Sequence, residues 1–221
     1  MKRNSFQAVL FDLDGTLLDT IQDLADSMNV ALKAAGYPEH PVDAYKYFVG
    51  DGMENLVKRS LPKSVQDRNI IETLLDRLRK EYTIRQSINT KPYDGIKELL
   101  LKLRKNNIRL AVLSNKPDEF TPNIIKSYFP DVSFDVVRGQ KSGVPKKPDP
   151  AGALDIAGIL HFHPSEFAYL GDTDTDMKTA VSAGMFAVGA AWGFRPVSEL
   201  LENGARKIIQ HPLELLSLWE E

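Results

Sequence analysis

The stretch Ala8-Val9-Leu10-Phe11-Asp12-Leu13-Asp14-Gly15-Thr16 decides the fold of this 221-residue chain. Four apolar residues lead into two carboxylates that lie one residue apart, and a glycine follows them. Such a run is typical of a buried strand in a parallel sheet that ends in polar side chains. Two carboxylates held together at that point repel each other and lose hydration, so we expect the fold to supply a cation or a chemical task for them.

The composition excludes several classes of function. There are 28 basic and 30 acidic side chains, and the basic ones are scattered, so we expect no nucleic acid partner and no membrane surface. The chain has no cysteine, which excludes disulfides, thiolate nucleophiles and zinc-thiolate sites. The basic start, Met1-Lys2-Arg3, is followed by an apolar run that breaks at Asp12 and is too short for a signal peptide. These features predict a cytoplasmic protein.

Residues from about 20 to 90 carry helical patterns only. Apolar residues recur with helical spacing from Ile21 to Ala35, with Asp19 or Thr20 as the cap and Gly36 past the end. Shorter helical patterns follow over residues 43–48, 53–60 and 65–82, and the loop Val49-Gly50-Asp51-Gly52 separates the first two. The sequence therefore predicts an all-helical segment directly after the first strand.

From Pro92 onward, helix and strand patterns alternate. Strands are predicted over residues 108–113, 134–137, 167–170, 185–190 and 207–209, with helices between them and a last helix from Pro212. This alternation is typical of a parallel sheet covered by helices. We therefore predict an α/β fold with a Rossmann-like parallel-sheet core, whose chain is interrupted after the first strand by a helical insert.

Polar side chains follow three of the predicted strands. Asp12 and Asp14 follow the first predicted strand, and Ser114-Asn115-Lys116 follow the second. The fourth predicted strand is followed by Gly171-Asp172-Thr173-Asp174-Thr175-Asp176. A further polar run, Lys146-Lys147-Pro148, lies between the second and the fourth strands. Because ligands bind at the carboxyl ends of parallel strands, we expect these groups to converge. Several carboxylates, a hydroxyl and a lysine at one edge fit a hard cation and an anionic group such as phosphate.

Each of these pieces also has a purely structural interpretation. Asp12 and Asp14 can cap backbone amides of a turn, Ser114 and Asn115 can cap a helix, and Lys146 and Lys147 can be a solvated pair. The alternating aspartates 172, 174 and 176 resemble a calcium loop, but Met177 and Ala183 stand where that loop needs glycine and glutamate. The four histidines have no metal-binding spacing, so we interpret them as surface or packing residues.

Taken in order, these motifs resemble the haloacid dehalogenase-like (HAD) hydrolases. The matching segments are Asp12-Leu13-Asp14-Gly15-Thr16, Ser114-Asn115, Lys147-Pro148 and Gly171-Asp172 with Asp176. The loop Val49-Gly50-Asp51-Gly52, the run Ser114-Asn115-Lys116-Pro117 and the run Trp192-Gly193-Phe194-Arg195 are similar to the phosphoglycolate phosphatase branch. The resemblance implies an α/β core over residues 1–18 and 91–221 and a helical cap over residues 19–90.

The resemblance also implies roles for single residues. Asp12 would be the nucleophile that forms an aspartyl-phosphate, and Asp14 the general acid and base. Mg²⁺ would be held by a carboxylate oxygen of Asp12, the backbone carbonyl of Asp14 and the carboxylate of Asp172, with Asp176 nearby or acting through water. Ser114 would bind a phosphoryl oxygen, and Lys147 would offset charge on the nucleophile and the transferred group. The remaining residues assigned to substrate binding are Thr16, Asn115, Gly50 and Gly52.

The predicted function is a magnesium-dependent phosphatase for a small phosphate monoester, with 2-phosphoglycolate as the leading substrate. The alternatives are a sugar phosphomutase, a pyrophosphatase or a non-catalytic module that binds a phosphorylated ligand. The dehalogenase branch is disfavoured because its chemistry uses no metal and would leave Asp14, Asp172 and Asp176 without a function.

The helical insert could close over the site and exclude water, in which case the loop from Gly50 to Met53 would face the site. The alternative interpretation is that this loop is an ordinary turn between two helices. The expected partner is a small phosphorylated metabolite, and the expected state is a monomer or a homodimer.

Overall fold

Six parallel strands form the central sheet of the computed structural model, which describes residues 6–220. They are β1 (Ala8–Phe11), β4 (Arg109–Pro117), β5 (Val136–Gln140), β6 (Phe167–Gly171), β7 (Phe186–Ala190) and β8 (Lys207–Ile209). Their order in the sheet is β5-β4-β1-β6-β7-β8, so the first strand lies in the middle with β4 on one side and β6 on the other. The crossover direction reverses at β1, and such a reversal opens a crevice at the carboxyl ends of the strands.

Both faces of the sheet are covered by helices. Val9 and Phe11 of β1 belong to one apolar cluster, while Ala8 and Leu10 belong to the cluster on the opposite face, as the alternation of a strand requires. Helices α5 and α6 cover the first face, and α7, α8 and α9 cover the second. The bounds are α5 (Ile96–Lys105), α6 (Thr121–Tyr128), α7 (Ala151–Leu160), α8 (Asp174–Ala183) and α9 (Val197–Glu202).

The segment between the first two strands of the sheet is helical. It leaves and rejoins the sheet domain through a two-stranded antiparallel ribbon, in which β2 (Leu18–Asp19) pairs with β3 (Lys91–Pro92). The predicted boundaries of the insert fall on this ribbon, and the division into two domains stays a prediction. The helices are α1 (Ile21–Ala34), α2 (Val42–Phe48), α3 (Met53–Ser60) and α4 (Arg68–Arg85).

The α/β class and the parallel sheet are confirmed, and several elements differ from the sequence prediction. Strand β5 covers Val136–Gln140 instead of residues 134–137, and the ribbon of β2 and β3 was not predicted. Strand β4 continues four residues beyond Leu113, because a register shift lets Pro117 pair with Gln140 of β5. The last segment, Pro212–Leu218, is a 3₁₀ helix, and its first amides are satisfied by His211 and Glu214. Within residues 6–220, no helix is both long enough and apolar enough to cross a membrane.

A buried carboxylate holds the two ends of the insert together. Asp23 on α1 is 1% exposed and accepts hydrogen bonds from the backbone amides of Asn89 and Thr90 at 2.9 Å each. It also accepts from the side chains of the same two residues, at 2.9 and 2.7 Å. Asp23 therefore fixes the chain that returns to the sheet against the first helix of the insert.

We expect Asp23→Ala to lower the free energy of unfolding by about 3 kcal/mol, because it leaves buried amide donors without an acceptor. The melting temperature would fall by roughly 10 °C. Asp26→Ala is the matched control on the same helix, since Asp26 accepts one bond from Gln22 at a partly exposed site. Equal melting temperatures for the two variants would contradict this role of Asp23.

Candidate active site

Three buried carboxylates meet at the carboxyl edge of the sheet. Asp12 directly follows β1, Asp172 directly follows β6, and Asp176 lies in the first turn of α8. One oxygen of each lies within 4.8 Å of the others, and the residues are 6%, 0% and 0% exposed. The structure therefore brings together the three carboxylates that the sequence assigned to a metal.

Lys147 is the cation that contacts this carboxylate cluster. Its Nζ donates to Oδ1 of Asp12 and to Oδ1 of Asp176, each at 2.7 Å, and its side chain is 3% exposed. The backbone of Lys147 is fixed by Asn115, whose Oδ1 accepts from the Lys147 amide at 2.9 Å and whose Nδ2 donates to its carbonyl at 3.0 Å. Asn115, predicted as a substrate ligand, thus uses its amide group to position the lysine.

Burial and mutual repulsion change the acidity of the cluster. Burial and the charge of Asp176, offset in part by Lys147, raise the pKa of Asp12 to about 7. Burial and the charges of Asp12 and Asp176 raise the pKa of Asp172 well above its ordinary value. The two neighbouring carboxylates also outweigh the effect of burial on Lys147 and hold its pKa well above the usual range. One lysine therefore faces three carboxylates, and the cluster lacks positive charge.

Asp172 is held by two donors, which come from two segments of the chain. The Thr16 hydroxyl donates to its Oδ1 at 2.9 Å, and the Phe194 amide donates to its Oδ2 at 2.8 Å. Trp192 in turn donates from Nε1 to the Thr16 carbonyl at 3.1 Å. Thr16 was predicted to bind substrate, but it is fully buried and its hydroxyl is directed to Asp172. Its position in the structure is that of a residue that orients the carboxylate.

Two glycines allow the chain to approach Asp172 closely. A Cβ at position 15 would lie 2.2 Å from Asp172 Oδ2, and Gly15 also has a φ of +90° that favours glycine. A Cβ at position 193 would lie 2.2 Å from the Cβ of Asp172. Gly15 is part of a motif that the sequence analysis identified. The close approach of Gly193 to Asp172, 21 positions earlier in the chain, could not be predicted from the sequence.

A pocket lies between the carboxylate cluster and the helical insert. It is lined by Asp12, Asp14, Leu24, Val49, Gly50, Gly52, Met53, Leu56, Ser114, Asn115, Lys116 and Pro117. The cavity measures about 40 Å³, which is room for roughly three water molecules. The predicted residues Gly50 and Gly52 therefore face the site, and the arrangement suits a small ligand.

Asp14 is not part of the carboxylate cluster and pairs with a different lysine. Its two carboxylate oxygens accept from Lys116 Nζ at 2.8 and 3.0 Å, and the ammonium lies 4.6 Å from the centre of the Tyr82 ring. Burial opposes the charge of Lys116, but Asp14 and Tyr82 outweigh it and raise the pKa of the lysine. Lys116 was not among the predicted site residues, because a lysine after a strand carries no sign of which distant carboxylate it meets.

Several contacts join the insert to the sheet domain around the pocket. Asn115 Nδ2 donates to the Gly50 carbonyl at 2.9 Å, and Lys146 Nζ donates to the Asp51 carbonyl at 2.7 Å. The Asp51 carboxylate accepts from the Thr175 hydroxyl at 3.0 Å and also from Arg59. These contacts hold the loop at 49–52 over the carboxyl ends of the strands.

The donor set of the carboxylate cluster fits a hard divalent cation. All of the possible ligand atoms are carboxylate oxygens, and all three residues are buried. The neighbouring Lys147 supplies one positive charge, which is too little to balance three carboxylates. Mg²⁺ prefers few carboxylate ligands and keeps water or phosphate in its other positions. Asp12, Asp172 and Asp176 could hold such an ion beside the pocket.

A family model and individual proteins match this chain. The family model for haloacid dehalogenase-like hydrolases matches residues 9–190. A phosphoglycolate phosphatase of Nitrosospira multiformis is 31% identical over 96% of this chain and 95% of its own length. A phosphoglycolate phosphatase of Aquifex aeolicus is 32% identical, over 97% of each chain.

Solved structures agree with the sequence relatives. A crystal structure from Lactobacillus delbrueckii subsp. bulgaricus, of a protein provisionally named phosphoglycolate phosphatase, superimposes with a TM-score of 0.91. It is 30% identical, and the match covers 98% of this chain and 100% of that one. The similarity therefore spans the sheet domain and the helical insert together.

The carboxylate cluster makes the stability of the metal-free protein depend on pH. Asp12 and Asp172 have folded-state pKa values above the ordinary 3.8, so between 3.8 and about 7 the native state binds more protons than the unfolded state. Stability is then largest at low pH in this window and is lost as the pH rises through it. We expect the melting temperature without metal to fall by on the order of 5 °C between pH 5 and pH 8.

Asp172→Asn should remove much of this fall, and Mg²⁺ should stabilise the wild type more at pH 8 than at pH 5. Asp131→Asn, at an exposed position, is the matched control and should keep the whole fall. Differential scanning calorimetry in a chelator and then in Mg²⁺ measures these values. Identical pH profiles for the wild type and Asp172→Asn would contradict the charge deficit.

Proposed function

The chain belongs to the haloacid dehalogenase-like hydrolase family, in the branch of the phosphoglycolate phosphatases, and we propose that it is a magnesium-dependent phosphatase of a small phosphate monoester. The names of the relatives favour 2-phosphoglycolate as the substrate. A small phosphorylated metabolite is then the only partner that the reaction needs. The cytoplasmic location and the monomeric or homodimeric state stay predictions.

The observation that carries this proposal is the environment of the Asp12 carboxylate. One of its oxygens accepts from Lys147, and among residues 6–220 no donor contacts the other. Asp12 also lines the pocket together with Ser114 and Asp14. A buried carboxylate with one oxygen fixed and one free, at the inner end of a ligand pocket, is placed to act as a nucleophile.

In the first step, the free oxygen of Asp12 attacks phosphorus, and the bond between phosphorus and the ester oxygen breaks. Asp14, which would leave Lys116 and take up a proton from solvent beforehand, gives that proton to the leaving oxygen, and Asp12 becomes an aspartyl-phosphate. In the second step, a water attacks phosphorus and Asp14 takes its proton, so that inorganic phosphate leaves and Asp12 is restored. Asp14 must turn from Lys116 toward the ester oxygen to act as this acid.

Two side chains would stabilise the charge on the transferred group. Ser114 accepts from the Lys116 amide at 3.1 Å, which leaves its own hydroxyl proton free to donate to a phosphoryl oxygen. Lys147 already neutralises one carboxylate oxygen of Asp12 and would oppose the charge that develops during transfer. Asn115 contributes by holding Lys147 in place.

Mg²⁺ would be held by the carboxylates of Asp12, Asp172 and Asp176, with the backbone carbonyl of Asp14 as a further ligand. When bound, it would offset the negative charge that the cluster and the phosphate bring together. The buried carboxylates and their charge deficit support this ligand set. Thr16 and the Phe194 amide would keep Asp172 oriented for the ion.

We also propose that residues 19–90 form a cap over a core made of residues 1–18 and 91–221. The loop that contains Gly50 and Gly52 lines the pocket, and its contacts with Asn115, Lys146 and Thr175 close the insert over the site. A closed cap would exclude bulk water while the aspartyl-phosphate forms. Opening at the ribbon of β2 and β3 would admit substrate and release product.

A phosphate-release assay over a panel of phosphate esters tests the proposal. The wild type should release phosphate in Mg²⁺ and lose that activity in a chelator. Asp12→Asn removes the nucleophile while keeping the shape of the side chain, so we expect kcat to fall by on the order of 10⁴-fold or more. Asp131→Asn is the control with unchanged kcat. Release that survives Asp12→Asn, or no release from any ester by the wild type, would overturn the proposal.

A further inference from the structure

The pocket has one cationic side chain among the lining residues that the structure describes, that of Lys116. Lys147 is not a lining residue and is already shared between Asp12 and Asp176. The Lys116 side chain is 2% exposed, and the carboxylate of Asp14 is its single ionic partner within residues 6–220. The lining also includes apolar side chains, among them Leu24, Met53, Leu56 and Pro117.

Lys116 lies on the same strand as the hydroxyl that we assign to the phosphoryl group. Ser114 and Lys116 are two residues apart on β4, in the stretch where its register with β5 shifts, and the Lys116 amide donates to the Ser114 hydroxyl oxygen at 3.1 Å. Both line the pocket. An ester whose phosphoryl group is at Ser114 would extend its organic part along β4 toward Lys116.

We propose that Lys116 is the residue that binds the carboxylate of the proposed substrate, so that this one side chain sets the preference for an acidic ester over a neutral one. This inference rests on the proposed phosphatase function and identifies the residue that binds the organic part of the substrate. Lys116 is then a residue that determines specificity.

The contact with Asp14 explains why an acidic substrate would be preferred. Asp14 holds Lys116 with both carboxylate oxygens, and it must leave the ammonium to reach the ester oxygen. A substrate carboxylate can replace Asp14 as the ionic partner of the Lys116 ammonium, so that Asp14 is free to move to the ester oxygen. With a neutral ester, the same movement of Asp14 would leave the buried ammonium without an ionic partner. Sites that must pair a buried polar group reject analogues that lack the matching group.

The far wall of the pocket also favours a negative charge. Gly52 and Met53, at the start of α3, line the pocket, and no side chain caps this end of the helix. The carboxylates at this end of the helix have other partners, since Asp51 accepts from Thr175 and Arg59 and Glu54 pairs with Lys58. The positive end of the helix dipole therefore adds to the attraction of Lys116 for an anion.

The test compares two esters of the same size, 2-phosphoglycolate and 2-hydroxyethyl phosphate, which carries an alcohol in place of the carboxylate. We expect the wild type to favour the acidic ester by about 10- to 100-fold in kcat/KM. Lys116→Met should reduce that preference to less than about threefold, mainly through a higher KM for 2-phosphoglycolate. Lys102→Met, at an exposed lysine of α5, is the matched control and should keep the preference.

The ratio of the two kcat/KM values is independent of the amount of folded enzyme, so partial misfolding of Lys116→Met does not affect it. An unchanged ratio in Lys116→Met, or no preference in the wild type, overturns the role of Lys116 while leaving the phosphatase intact. No phosphate from any ester of the wider panel would instead overturn the proposed function.

A second measurement uses the wild type alone and applies even if Lys116→Met does not fold. The inhibitors 3-phosphonopropionate and propylphosphonate have chains of similar length, but only the first carries a carboxylate. We expect 3-phosphonopropionate to inhibit at least about 10-fold more strongly. Equal inhibition by the two compounds would overturn the preference for an acidic group.

Discussion

The structure of the site depends on three buried carboxylates, for which residues 6–220 supply one contacting cation, Lys147. Asp12, Asp172 and Asp176 would repel one another out of water, and Lys147 compensates for only part of that charge. The cluster persists because the strand ends, the Thr16 hydroxyl and the Phe194 amide hold the carboxylates in place. An arrangement of this kind is poised to gain free energy when a cation and a phosphoryl group arrive.

The same constraint explains features that lie outside the cluster. Gly15 and Gly193 are needed because the backbone must pass within van der Waals distance of Asp172. Asn115 connects the two halves of the site, since it fixes Lys147 and donates to the Gly50 carbonyl of the insert. The charge balance of the cluster and the position of the loop over the pocket are therefore mechanically linked through one amide side chain.

The fold and the charged centre could be predicted because their signals are local. Asp12 and Asp172 directly follow apolar strands, and parallel strands bring their carboxyl ends together. The roles of Thr16 and Lys116 could not be predicted this way. Thr16 meets a carboxylate 156 residues away, and Lys116 meets one 102 residues away, so their partners depend on packing. The Phe194 donor is a backbone amide, which every residue except proline supplies.

In the proposed reaction, the buried Asp12 carboxylate accepts the phosphoryl group. Acid quenching during turnover of 2-phosphoglycolate in Mg²⁺, followed by mass spectrometry of the digested protein, tests this step directly. We expect a phosphoryl adduct on the peptide that contains Asp12, absent without substrate and absent in Asp12→Asn. Turnover that leaves Asp12 unmodified while another residue carries the adduct would contradict it.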